Sequence, residues 1–306
     1  VNTADQQESE VERMRKMKEN KNLNMRRSLL RTLPLYLALF CLLFIGRSTV
    51  KAASLDNKID LRGNYATLLR DLDGNGDMEK IQLKASQLNA YFYKNIRVYV
   101  DGKLALKKNI KGASGISLRY MSCSAKKNYL QLMVTMDGGY MYLNKIYSFS
   151  KGKLVEAADL GQADNMVADV TAVSSNNISV KFSVQPYETG RVEWTFNYRP
   201  KGKKLKLVSN TASVKSVLGT YFYRDRDSNN FKKNKFTTVR ARTYYKSAGG
   251  SQKAFRTKKG DVLRMQKVKI IGKKMYLSFK KGKKTGWTEV HGYTCLLYTS
   301  DAADDK

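Results

Sequence analysis

Proline, cysteine and histidine are nearly absent from this chain, at three, three and one of 306 residues. So little proline excludes a proline-rich stalk, and three cysteines exclude a disulfide scaffold. A single histidine, His291, excludes any site that needs two imidazoles, which removes most catalytic zinc centres. Acid is scarce as well: 26 Asp and Glu stand against 57 Lys and Arg, for a formal net charge of +31. Hydrophobic residues nevertheless make up 42% and aromatic residues 10%. That supply is too rich for a disordered polyelectrolyte, so a packed core is expected. The length fits one large domain or two smaller ones. These balances point to binding rather than catalysis.

The two ends are set aside before the fold is read. From Met25 the chain runs Arg26-Arg27-Ser28-Leu29-Leu30-Arg31, then an almost unbroken apolar run over 33–46, then Ser48-Thr49-Val50-Lys51-Ala52-Ala53. A basic segment, a short apolar segment and small residues before a cleavage point form the pattern of a secretory signal peptide. The run is too short for a spanning helix, which needs about 20 apolar residues. Residues 25–52 are therefore expected to be a signal cleaved after Ala52, with 1–24 an upstream extension. Phe40 before Cys41 is too bulky for a lipoprotein processing site. Residues 295–305 read Cys-Leu-Leu-Tyr-Thr-Ser-Asp-Ala-Ala-Asp-Asp and resemble the translation of a sequencing adapter, so 295–306 is expected to be an assembly artefact. The mature chain then has one thiol, Cys123, expected to be a small buried hydrophobe. Residues 53–294 hold 46 basic and 18 acidic groups, net +28, and 201–294 alone hold 26 and 4, net +22.

Apolar and polar residues alternate along the whole mature chain, the signature of half-buried strands. Ile96, Val98 and Val100 alternate with Arg97 and Tyr99. Leu130, Leu132, Val134 and Met136 repeat the pattern, as do Ile178, Val180, Phe182 and Val184. Val192, Trp194, Phe196 and Tyr198 give the clearest case. The predicted class is all-β. Hairpin glycines fall at 102, 152 and 202, a spacing of 50. Glycine supplies the positive φ that tight hairpins need, and a fixed period of this size predicts antiparallel, propeller-blade-like repeats over 53–212.

One loop carries a sharp chemical pattern: Asp71-Leu72-Asp73-Gly74-Asn75-Gly76-Asp77-Met78-Glu79, followed by the strand Ile81-Gln82-Leu83. Oxygen donors at positions 1, 3 and 5, glycine at 6 and a carboxylate at 9 suit a hard cation such as Ca2+. Position 12 is Gln82, and no helices flank the loop, so it is not an EF-hand. The loop resembles those of FG-GAP and VCBS repeats, extracellular propeller blades in which such a loop holds calcium. By that resemblance Asp71, Asp73, Asn75 and Glu79 supply side-chain oxygens and Asp77 its backbone carbonyl. The likeness covers about one blade, because the corresponding loops near 126–128 and 174–177 lack carboxylates.

A linker is expected over 213–235 and a compact barrel over 236–294. Val239, Ala241, Thr243 and Tyr245 are predicted to form one strand face, with Arg240, Arg242 and Lys246 on the other. A Gly249-Gly250-Ser251 turn, Lys258-Lys259-Gly260-Asp261-Val262, a hairpin at Gly272, Met275-Tyr276-Leu277-Ser278-Phe279 and Gly286-Trp287 follow. This order of strand, Lys-Gly-Asp, long hairpin and Gly-Trp resembles bacterial SH3-like domains, which are usually exported and bind the cell wall. The net +22 over 201–294, a segment that includes this module, concentrates polyanions around it. Lys280, Lys281, Lys283 and Lys284, with Tyr244, Tyr276 and Trp287 as stacking surfaces, are the candidate ligand-binding residues.

No nucleophile–base pair, phosphate-binding glycine loop or zinc signature is visible, so no enzyme is expected. The leading expectation is a secreted protein of a Gram-positive-type bacterium that binds cell-wall polymers, teichoic acid or peptidoglycan. Two alternatives belong to other classes. A wall or polysaccharide hydrolase would show two carboxylates converging in a cleft away from the calcium loop. An extracellular nucleic-acid binder would show aromatic residues and lysines alternating on one exposed strand face.

Overall fold

The computed structural model of the chain describes residues 53–139, 141–161, 166–184, 191–216, 235–238 and 240–290. The expected signal peptide, the upstream extension, Val239, His291 and the adapter-like tail lie outside the described residues. Every regular element described is a β-strand, apart from one 3-10 turn at Asp137–Gly139, and every strand pair is antiparallel. The all-β class stands.

The first sheet contains β1 (Ser54–Leu55), β2 (Ile59–Asp60), β3 (Tyr65–Arg70), β4 (Glu79–Gln87), β5 (Tyr93–Val100), β6 (Lys103–Ser124), β7 (Lys127–Met136), β8 (Met141–Ser150) and β9 (Lys153–Asp159). Strands β3 to β9 run as one meander in chain order, with β1 and β2 added along β6. The expected four-stranded units therefore do not appear as separate sheets. The 50-residue glycine period also joins two different turns. Asp101-Gly102 and Lys151-Gly152 have positive φ at both central residues, the type I′ hairpin geometry. In the Gly202-Lys203 loop only the glycine does, at 59°, as in the Gly272-Lys273 and Gly282-Lys283 loops. Gly202 thus belongs with the C-terminal hairpins.

Alternation accounts for the packing. On β4, Ile81, Leu83 and Ala85 are buried while Lys80 and Lys84 are exposed. The central strands behave differently, because both of their faces are covered. Tyr120, Leu130, Leu132 and Tyr147 join one core with Ile81, Leu83 and Val98. Met121, Cys123, Tyr129 and Ile146 join a second core with the strands that follow. Strands β6 to β8 are thus a wall shared by two cores. Buried polar groups clasp that wall to the first strand after β9: Arg119 Nη1 donates to the Val170 carbonyl at 2.8 Å, and Asn144 Nδ2 to that of Ala168 at 2.7 Å.

The second sheet contains β10 (Val167–Ser174), β11 (Asn177–Val184), β12 (Val192–Lys201), β13 (Lys204–Leu207), β14 (Thr211–Ser216), β15 (Lys235–Thr237), β16 (Thr243–Tyr245), β17 (Lys253–Arg256), β18 (Val262–Ile271), β19 (Lys274–Lys281) and β20 (Lys284–Val290). Its order is β10-β11-β12-β14-β18-β19-β20-β16-β17, with β13 on β12 and β15 on β18. The expected boundary at 212/213 falls inside β14, whose one end pairs with β12 and whose other end pairs with β18. Phe182, Trp194 and Phe196, with ring centroids 5.5–6.0 Å apart, fill the same continuous core as Leu263, Leu277 and Phe279. The described residues between 53 and 290 belong to one compact unit. The order β18-β19-β20-β16-β17 runs through the C-terminal segment as an open sheet, with β16 joined to β20 by the single pair Tyr245–Trp287.

Two candidate binding regions

The acidic loop joins β3 to β4. Its first residue, Asp71, is buried, and its backbone carbonyl accepts bonds from Tyr120 Oη at 3.0 Å and Asn128 Nδ2 at 2.7 Å. Those contacts seat the loop on the β6–β7 turn. Gly74 is required there: at φ 81°, a Cβ would lie 2.2 Å from the Ala125 carbonyl oxygen. The side chains then brace the loop from inside. Asp71 Oδ1 accepts from the Gly74 amide (2.7 Å), Asp73 Oδ1 from Asn75 (3.0 Å) and Asn75 Oδ1 from Asp77 (2.6 Å).

Asp71, Asp73 and Glu79 each place a carboxylate oxygen within 4.8 Å of the others. Burial pushes the Glu79 carboxyl above its ordinary value, against the lowering effect of the Leu72 amide bonded to Oε2 at 2.5 Å; the nearby Asp73 and Asp71 charges raise it further. Three hard oxygen donors held together, one of them disfavoured as a bare anion, fit a divalent cation. The carboxylate of Asp77 is not part of this group, and Asn75 directs its side-chain oxygen to the Asp77 amide.

The second region lies between β17 and the β19–β20 hairpin. A groove of about 730 Å³ is lined by Lys253, Arg256, Lys281, Lys283 and Lys284, over Ala254, Phe255 and Gly282. Three of the predicted lysines are thus brought together. Lys253 and Arg256 join them from a strand about 30 residues earlier, which sequence reading missed. Only strand pairing reveals that proximity. Asp261 accepts a bond from Lys281 Nζ and another from the Lys258 amide; the Lys281 bond leads in holding its carboxyl below the ordinary range.

The remaining predicted residues sit elsewhere. Lys280 is exposed on β19 but does not line the groove. Trp287 is half-buried beside Tyr245. Tyr276 is buried and donates its hydroxyl to Glu289 Oε2 at 3.2 Å. The assignment of Tyr244 as a stacking surface is corrected: its ring is 4% exposed, stacked on Phe255 at 4.8 Å and edge-on to Phe279 at 5.7 Å. The expected strand face is therefore reversed, with Tyr244 inward and Thr243 and Tyr245 half-buried. Gly286 makes room for this stack, since a Cβ there would lie 2.7 Å from Tyr244 Cβ and 2.9 Å from Phe255 Cε1. The Gly of Gly-Trp is a packing requirement.

A smaller cleft of about 420 Å³ near the acidic loop is lined by Leu55, Asp56, Arg70, Leu118 and Tyr120, among others, and its one carboxylate, Asp56, is bridged to Arg70 at 2.6 Å. No protein-family model, curated protein or solved structure matches the chain.

Proposed function

We propose that this chain is a secreted, non-enzymatic protein that binds anionic polymers of a bacterial cell wall through its C-terminal basic groove. The supporting observation is the convergence of Lys253, Arg256, Lys281, Lys283 and Lys284 on one groove, with Asp261 beside Lys281 as the acidic neighbour. Like charges so gathered create a local potential that attracts and concentrates a polyanion. Phosphate groups along a teichoic acid match that chemistry, and the half-buried Ala254 and the exposed Gly282 lie between the cations of the groove.

On this reading, export follows from the pattern over 25–52, and the β3–β4 loop holds a structural calcium. Asp71, Asp73 and Glu79 would bind it directly, with Asn75 and the Asp77 carbonyl completing the set by the FG-GAP and VCBS resemblance. The cation offsets the mutual repulsion of three carboxylates and fixes the loop on β6–β7. The experiment is co-sedimentation of the mature chain with cell walls before and after chemical removal of their anionic polymers. Binding to intact walls that disappears on stripped walls supports the proposal. Equal binding to both assigns the wall contact to peptidoglycan and overturns it.

A further inference from the structure

The outward face of the first sheet carries a second basic surface of different construction. Strand register places Tyr65 opposite Lys84, Lys84 opposite Arg97, and Arg97 opposite Lys107, a row across four strands. The adjoining row is Ser86, Lys94 and Lys111. Directly opposed residues share a face and approach closely, and like charges so placed are destabilising. None of the five cations makes an ion pair among the described residues. Asp101, at the end of the β5–β6 hairpin, instead accepts the backbone amide of Lys80 at 2.8 Å. The sheet thus holds five uncompensated cations in register, a standing cost that a bound polyanion removes.

Aromatic rings interleave with these cations. Tyr65 ends the first row and is 64% exposed. Tyr99 occupies the next row, beside Gln82, with the Lys84 ammonium 5.1 Å from its ring centroid. Cations that track a backbone, combined with rings that accept unpaired bases, make up a single-strand binding platform. A polyol phosphate has no flat π-surface to place on Tyr65, and a duplex keeps its bases stacked inside.

We infer that the outward face of β3–β6 binds single-stranded nucleic acid, with Lys84, Lys94, Arg97, Lys107 and Lys111 on the phosphates and Tyr65 under a base. This surface is separate from the C-terminal groove, and the inference does not depend on the wall-binding proposal.

The test measures binding of the full chain to labelled oligothymidylate of about 20 nucleotides, and to poly(glycerol phosphate), across a range of salt. Each neutralised phosphate of a single strand contributes about −0.7 to the slope of log affinity against log salt. Lys84→Gln/Arg97→Gln/Lys107→Gln should therefore flatten the oligothymidylate slope by about 2. Tyr65→Ala should weaken oligothymidylate about tenfold and leave poly(glycerol phosphate) unchanged. Arg256→Gln/Lys283→Gln/Lys284→Gln, the control for the other basic region, should preserve that Tyr65 effect. All the substituted side chains are exposed except Arg97, which is half-buried, and an unchanged melting temperature for Tyr65→Ala confirms that folding is intact. Wild-type oligothymidylate affinity in Tyr65→Ala, or an unchanged slope in the triple variant, overturns the inference. Equal weakening of both polymers by the triple variant, with no Tyr65 effect, also overturns it and makes the face a general wall-polymer surface.

Discussion

Arg97 sits between Lys84 on one neighbouring strand and Lys107 on the other, so neutralising it should stabilise the protein. Arg97→Gln keeps most of the aliphatic stem and removes only the charge. Taking about 7 Å as the order of separation for head groups on cross-strand neighbours, each repulsion in water is worth about 0.6 kcal/mol before screening. At 0.1 M salt the Debye length is about 10 Å, which roughly halves that value. Two pairs then contribute about 0.6 kcal/mol, rising to about 1 kcal/mol at 0.01 M, within the range for opposed cross-strand charges. For a protein of this size 1 kcal/mol moves the melting temperature by about 2–4 °C. Differential scanning calorimetry at both salt concentrations is the assay. The variant should melt higher than wild type, with the gain larger at low salt. A lower melting temperature for Arg97→Gln, or a gain indifferent to salt, refutes the electrostatic reasoning and with it the claim that this face awaits an anion.

Three further outcomes follow from the packing and the loop. Gly286→Ala forces a methyl group into the Tyr244–Phe255 stack and should cost about 1–3 kcal/mol, read as a lower denaturation midpoint; a neutral result would mean that the ring pair is loosely held. Asp73→Ala should abolish the calcium-dependent rise in melting temperature, which for ligand at about 100 times its dissociation constant corresponds to roughly 2.7 kcal/mol, and wild type that shows no rise in millimolar calcium would reduce the loop to a turn. Burial pushes the Cys123 thiol up to about 11, so alkylation at pH 8, followed by mass mapping of its peptide, should label it only after denaturation.

What the sequence made legible was set by range. Alternation along a strand is local, and Ile96, Val98, Val100, Val192, Trp194 and Phe196 all proved to be buried as their spacing indicated. At Tyr244 and Tyr245 alternation led to the wrong inward face, because either parity buries an aromatic residue. Phe255 and Gly286 decide it, and both come from other strands. The period of 50 was misleading for a related reason: a glycine position is visible in sequence, but its place in the turn depends on strand register. The acidic loop was readable because its donors lie within nine residues. The row through Lys84, Arg97 and Lys107 was hidden, since no spacing along the chain announces which residues face one another across strands. Lys253 and Arg256 escaped notice in the same way.

The claim that the C-terminal groove holds an anionic wall polymer is tested most directly by calorimetric titration of the mature chain with purified poly(glycerol phosphate) teichoic acid, repeated with Lys253→Gln/Arg256→Gln/Lys283→Gln/Lys284→Gln. Wild-type affinity should fall steeply with rising salt, because phosphate contacts by lysine and arginine are electrostatic and screened. The variant should lose most of that affinity and most of its salt dependence while melting no lower than wild type. A folded variant that binds teichoic acid as tightly as wild type would contradict the account.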